Sequence, residues 1–316
     1  MADFVLIGIR FALFANLMLV AGLAAFLLYA FNADERADPN VTAGFRTAER
    51  RLCWSGLLIS AAGLGVLTAS MNGVGLLEID PPMLFAMIGE TGAGTAWLYR
   101  TAALLIALAA SWGLAQRAAP SAAVILAAGS IALATLVWSG HAGATEGAAG
   151  TLHRASDALH MIAAAVWLGG IAAFLLLLQS PEREAGAARL EIAVRTLDQF
   201  ARVGTICVIV IAATGLLNGH LIVGVENFGR LTGTPYGQLL LAKLALFVLM
   251  LALAAANRWR LTPALAVSLA DPEADASRAA AAIRRSLFLE AAAGAAILAL
   301  VAWFGLLEPI PAPGAA

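Results

Sequence analysis

Three of the chain's four histidines, His141, His153 and His160, fall within a stretch of twenty residues, and the fourth, His220, sits near the end of a later apolar run. Imidazole nitrogen suits copper, zinc and iron, and an adjacent thioether shifts the preference toward Cu(I). Met161 directly follows His160. Positions 153, 157 and 160 are spaced i, i+4 and i+7, so on a helix they share one face. His153, Asp157 and His160 therefore form a polar stripe with Met161 beside it. Asp157 is placed to hydrogen-bond a ligating imidazole, the usual means of orienting such a ligand. Met83 and Met87, at i and i+4, would direct both sulfurs the same way from a helix, and with Met71 they make a candidate thioether relay. Plainer uses compete with this chemistry: histidines pair helices in membranes, and methionines fill irregular gaps in a core.

Membrane helices have to position these side chains. Hydrophobic residues make up 61% of the chain and charged residues 12%, and the mean hydropathy is +0.87. Eight apolar runs recur, at about 4–31, 52–72, 97–116, 121–139, 153–178, 203–224, 237–257 and 287–307. Each is near the ~20 residues that cross a bilayer as a helix. In hydrocarbon the backbone must satisfy its own hydrogen bonds, which leaves a helical bundle. The fold class is therefore all-α, a polytopic membrane bundle of about eight transmembrane helices forming one integral membrane domain over 1–316. The first run has no basic flank and is longer than the apolar core of a leader, so it is expected to remain as a membrane helix.

Arginine orients the bundle. Loops 32–51, 117–120, 179–202 and 258–286 hold fourteen arginines, and the alternate loops hold Arg100, Arg154 and Arg230. The arginine-rich side is expected to be cytoplasmic, which places both termini on the outer side of the membrane. Trp97, Trp138 and Trp303 then fall at outer ends and Trp54, Trp112 and Trp259 at inner ends, as two interfacial belts would require. A short interfacial helix is expected at about 82–89, after the double proline, and short surface helices in the 32–51 and 258–286 loops. A net charge of −1 and the lack of a dense basic patch argue against a nucleic-acid partner. Cys53 and Cys207 stand in no metal-binding spacing. No nucleophile–base arrangement or nucleotide loop is apparent, so no enzyme activity is expected.

In this topology all four histidines lie on the outer side. The fifth run has 26 residues, about 39 Å of helix against a hydrocarbon core of about 30 Å. Its first turns can rise out of the lipid, which brings His160 near the outer boundary at the depth of His220. The four imidazoles can thus converge in one layer. Lys243, the only lysine, lies about 9 Å into the seventh run, where it can snorkel outward or pair with Asp157. Asn218 is a further polar group at this depth.

The stretches "HMIAAAVWLGGIAAF" (160–174), "FARVGTICVIVIAATGLLNGHLIVG" (200–224) and "LTGTPYGQLLLAKLALFVLMLALAAANRWRLTPAL" (231–265) resemble the CopD copper-resistance membrane proteins. "SGHA" at 139–142 and the eight-helix count agree. The resemblance implies a copper-homeostasis protein that binds copper at the periplasmic face and moves it across the inner membrane, often beside a periplasmic CopC-type copper binder. His160, Lys243 and Asn218 match family motif positions, whereas the ligand roles of His141 and His220 rest on geometry. Copper, as Cu(I) or Cu(II), is the implied ion. Two other readings stay open: a membrane cytochrome carrying one b-type haem near the outer face, and an assembly subunit whose histidines only pair helices.

Overall fold

A computed structural model describes residues 2–139, 147–178, 183–270 and 276–307. The helices are α1 (Ala2–Tyr29), α2 (Ala33–Ala37), α3 (Pro39–Asn72), α4 (Pro81–Glu90), α5 (Gly92–Gly113) and α6 (Ala118–Ala134). They continue as α7 (Gly147–Leu177), α8 (Arg183–Val223), α9 (Pro235–Ala256), α10 (Thr262–Ala270) and α11 (Ala276–Phe304). No strand occurs among the described residues. Eight spans are long and apolar enough to cross a membrane, one for each expected run. The protein is a multi-pass membrane protein.

Local chemistry sets the ends. Asn32 and Glu35 form a capping box at α2, and Asp38 with Pro39 opens α3. Gly73 closes α3 at φ 66°, a left-handed conformation that glycine adopts without a Cβ penalty. Asp80 ahead of two prolines starts α4 over Pro81–Glu90, one residue longer at each end than the expected interfacial helix. Thr91 and Thr234 cap α5 and α9 through their hydroxyls.

Three spans begin well before their apolar runs. α3 starts at Pro39 rather than 52, α8 at Arg183 rather than 203, and α11 at Ala276 rather than 287. Hydropathy marks the part of a helix that faces lipid, whereas the Ala-, Glu- and Arg-rich segments upstream are good helix formers in their own right. The surface helices expected in the inner loops are accordingly replaced, except for α2, by continuations of the spans. After α9 a π turn, Asn257–Leu261, leads directly into α10. Arg100, expected in an outer loop, is instead buried inside α5, where its Nε donates to Thr135 Oγ1 at 2.9 Å. The Thr91 cap starts α5 early enough to carry Arg100 two turns into the span.

The most buried span is α1, which packs against α3, α6, α7 and α11. Its crossing with α7 is close enough to exclude side chains. A Cβ on Gly22 would run into the Ala165 carbonyl and the Gly169 Cα, and one on Gly169 into the backbone of Gly22. Small residues that let membrane helices touch backbone to backbone produce such contacts. Toward the arginine-rich end, Phe26 packs against Tyr29, Phe31, Phe45 and Phe174 with ring centroids 5.1–5.9 Å apart. There Arg36 donates to the carbonyls of Leu27, Leu28 and Phe31 at the end of α1. Arg195 Nη2 pairs with Glu35 at 2.5 Å and ties α8 to α2.

Gly22→Val is expected to destabilise the detergent-solubilised protein by about 1–3 kcal/mol through overpacking. Gly44 has nothing within 4 Å of a built Cβ, so Gly44→Ala should leave the melting temperature unchanged or raised. Equal melting temperatures for Gly22→Val and wild type would show that the helices can separate at no cost.

Candidate functional site

The residues singled out from sequence gather where α1, α7 and α9 begin and where α6, α8 and α11 end. His153, Asp157, His160 and Met161 of α7 line one cavity of about 180 Å³, with Asn218 of α8 and Lys243 of α9 on the facing wall. His153 and Met161 are buried, and Asp157 and His160 half-buried. The side chains come together because α7 and α8 pack along much of their length, and the i, i+4, i+7 stripe of α7 meets a matching stripe of α8 at 214, 215 and 218.

A polar ladder runs along this seam. His160 Nδ1 lies 2.9 Å from Thr214 Oγ1. The single hydroxyl proton of Thr214 is directed at the Val210 carbonyl, 2.6 Å away, so the hydroxyl accepts from Nδ1–H. That fixes the imidazole tautomer and leaves the Nε2 lone pair for a ligand. Gly215 lies beside the ring, and a Cβ there would stand 3.5 Å from His160 Cε1. One turn outward, Asn218 Nδ2 donates to Asp157 Oδ1 at 3.3 Å. The other amide atom, Asn218 Oδ1, is buried with no hydrogen-bond partner among the described residues, an acceptor open to whatever enters the cavity.

Cationic and aromatic groups complete the wall. Lys243 Nζ sits over the ring of Phe304, 5.7 Å from its centroid, in a cation–π contact. Tyr236 packs edge-on against the same ring at 5.5 Å. Arg10 also lines the cavity, and its Nη2 lies so close to Gly305 that a Cβ there would come within 2.6 Å. The lysine had two expected fates, snorkelling or pairing with Asp157; it lies within Coulombic reach of Asp157 and caps an aromatic face as well.

Other expected site residues lie elsewhere. His220 is exposed and does not line the cavity. Met71 is 63% exposed, whereas Met87 is buried with its sulfur 3.3 Å from Thr91 Oγ1. Met83 is half-buried on the same helix, and none of the three methionines lines the cavity. His141 lies outside the described residues. Among the described residues no three His, Cys, Asp or Glu side chains form a ready-made metal cluster. Thr214, Tyr236 and Arg10 were not foreseen as site residues. Thr214 could have been found from the spacing of Thr214, Gly215 and Asn218, a small and polar stripe with the period of the histidine stripe.

Intramembrane polar groups away from the cavity join helices. Asn16 Nδ2 donates to Ser55 Oγ at 2.8 Å and to the Leu52 carbonyl at 3.1 Å, linking α1 to α3. Asn257 at the π turn donates to the buried Glu290 of α11. Such bonds hold membrane helices together.

Fold and site together define a multi-pass helical membrane protein with an imidazole-, carboxylate- and thioether-lined cavity at one end of its bundle. Residues 194–304 match the family model described as copper resistance protein D, and residues 1–151 match that of the copper resistance protein D-like N-terminal domain. The chain is 37% identical to copper resistance protein D of Pseudomonas syringae pv. tomato across 98% of both chains. It is 31% identical to the inner membrane protein YebZ of Escherichia coli (strain K12), over 98% of this chain and all of that one. A segment of 118 residues is 39% identical to the copper transport protein CutJ of Bacillus subtilis (strain 168), covering 37% of this chain and 20% of that one. No solved structure matches significantly. This chain belongs to the copper resistance protein D family. Most of α7, His153 and His160 included, falls between the two segments matched by the family models.

The tautomer argument has a direct readout. In nitrogen-15 spectra of histidine-labelled protein, His160 should show a protonated Nδ1 and an unprotonated Nε2 near neutral pH, and Thr214→Val should erase that preference. An Nε2–H imidazole in the wild type would overturn the assignment.

Proposed function

We propose that the protein binds copper in the α7–α8–α9 cavity and moves it across the bacterial inner membrane. One observation carries the proposal: His153 and His160, with Met161 and Asp157, line a single cavity at the end of the bundle away from the arginine-rich loops. Two imidazoles and a thioether form a borderline-to-soft donor set that suits copper in either common oxidation state. The locked tautomer supports the reading, because a metal-binding imidazole needs one nitrogen deprotonated and the other anchored. An ammonium beside the cavity repels a metal cation, and the Asp157 carboxylate supplies the opposing charge. His141 is proposed as a further imidazole. His220, outside the cavity, is left out of the ligand set.

The names borne by the relatives support copper handling and an inner-membrane location. Arginine bias supports a periplasmic cavity mouth and periplasmic termini, which suits delivery by a periplasmic CopC-type copper carrier. In this reading the protein binds and passes on an ion and catalyses no covalent step. The haem reading fares worse on geometry. A bis-imidazole haem takes its axial ligands from facing helices, whereas His153 and His160 both stand on α7.

Titration of purified protein with Cu(I), Cu(II) and Zn(II) tests the site. His160→Ala and His153→Ala should each abolish tight copper binding, and Thr214→Val should weaken it by about tenfold as a supporting residue does. Met161→Leu should weaken Cu(I) and leave Cu(II) nearly unchanged. Because ligating imidazoles must be deprotonated, affinity should fall between about pH 7.5 and about pH 5.5. A pH-independent affinity, zinc bound as tightly as Cu(I), or a Soret band in the purified protein would sink the copper site.

Orientation is tested separately in a background lacking Cys53 and Cys207. A membrane-impermeant thiol reagent applied to intact spheroplasts should modify Thr151→Cys and spare Gly44→Cys. The reverse pattern would invert the proposed topology.

A further inference from the structure

A second cavity, about 530 Å³, lies between α8 and α9 and is backed by α7 and α11. The two helices follow one another in the chain but pack mainly against α7 and α11 respectively. They meet near the π turn, where Arg258 Nη1 donates to Thr205 Oγ1 at 3.0 Å, and diverge toward their other ends. The gap is walled by Trp167, Ile211, Leu240, Phe247 and Met250. Leu216, Phe228 and Leu244 at its rim are exposed on the outside of the bundle, the face that lipid covers. Apart from the Trp167 indole, its polar side chains are His160 and Lys243, which also line the smaller cavity.

We infer that this cavity binds an isoprenoid quinone from the bilayer, with its oxygenated ring against Lys243 and His160 and its tail leaving between α8 and α9. The chemistry of the wall selects the class. An apolar, aromatic chamber that opens to lipid admits an amphiphile and excludes a polar solute. Lys243 stands eight residues along α9 from Pro235, about 12 Å of helix. A phospholipid phosphate stays at the membrane surface, so only a small uncharged head can reach that depth. Lys243 Nζ stands over the Phe304 ring and within Coulombic reach of the Asp157 carboxylate, and an ammonium carries three N–H donors. A ring carbonyl supplies an acceptor for the donor that faces the chamber. The inference goes beyond copper binding and does not depend on it.

Trp167 lines the chamber and is a built-in reporter, since quinones quench indole fluorescence on contact. Protein in quinone-free nanodiscs would be titrated with decylubiquinone. Saturable quenching is expected, lost in Trp167→Phe and weakened about tenfold or more in Lys243→Met, as befits loss of a hydrogen bond to a charged group. Ala212 lines only this chamber and is exposed, so Ala212→Trp should plug it and abolish quenching by the quinone. Circular dichroism and copper titration of Ala212→Trp separate a plugged chamber from a misfolded protein or a failed metal site. Non-saturable quenching, quenching retained by a folded Ala212→Trp protein, or equal displacement of the quinone by palmitate would overturn the assignment.

Discussion

The backbone crossing of α1 and α7 at Gly22 and Gly169 is the contact from which the remaining geometry follows. With no side chain between them, the two helices have one separation and one rotational setting. That setting turns the 153–157–160 stripe of α7 toward α8, with Trp167 and Phe174 buried further along the same face and Ala165 buried against α1. Because cores are close-packed, a displacement of α7 along or around its axis would disturb every contact at once. The candidate ligands thus owe their positions to a glycine pair whose α7 member, Gly169, lies roughly two to four turns further along the helix.

Much of this was legible in the residues themselves. Eight apolar runs became eight spans, and the spacing of His153, Asp157 and His160 placed them on one cavity. What failed had a common cause: hydropathy reads the environment of a segment, while helix boundaries obey caps and propensity. That is why α3, α8 and α11 begin so early and why Arg100 is a buried hydrogen-bond donor rather than a loop charge. Angular position was the other blind spot. Asn218 and His220 differ by two residues, about 200° around a helix, so one faces the cavity and the other faces away. Depth alone had grouped them. Thr214 was overlooked because its role exists only between helices.

The seam between α7 and α8 shows how few groups define a polar site in an apolar medium. Thr214 spends its proton on its own helix and thereby dictates the proton position on His160. Asp157 and Asn218 form a second rung. In a low-dielectric setting such bonds are directional and costly to break, so the polar groups of the cavity are held in one arrangement.

The aromatic knot around Phe26 has a further consequence. It fills the half of the bundle opposite the cavity, joined by Phe200 against Phe174 at 5.3 Å, and the Arg195–Glu35 pair fastens the helix ends beyond it. In this conformation the molecule is a cup with a solid base. For the proposed transfer, an ion admitted at the mouth would meet these interlocked rings, and its passage would wait for the floor to repack. The pace of the proposed transfer would then be set by hydrophobic rings changing places at the arginine-rich end, far from the proposed ligands.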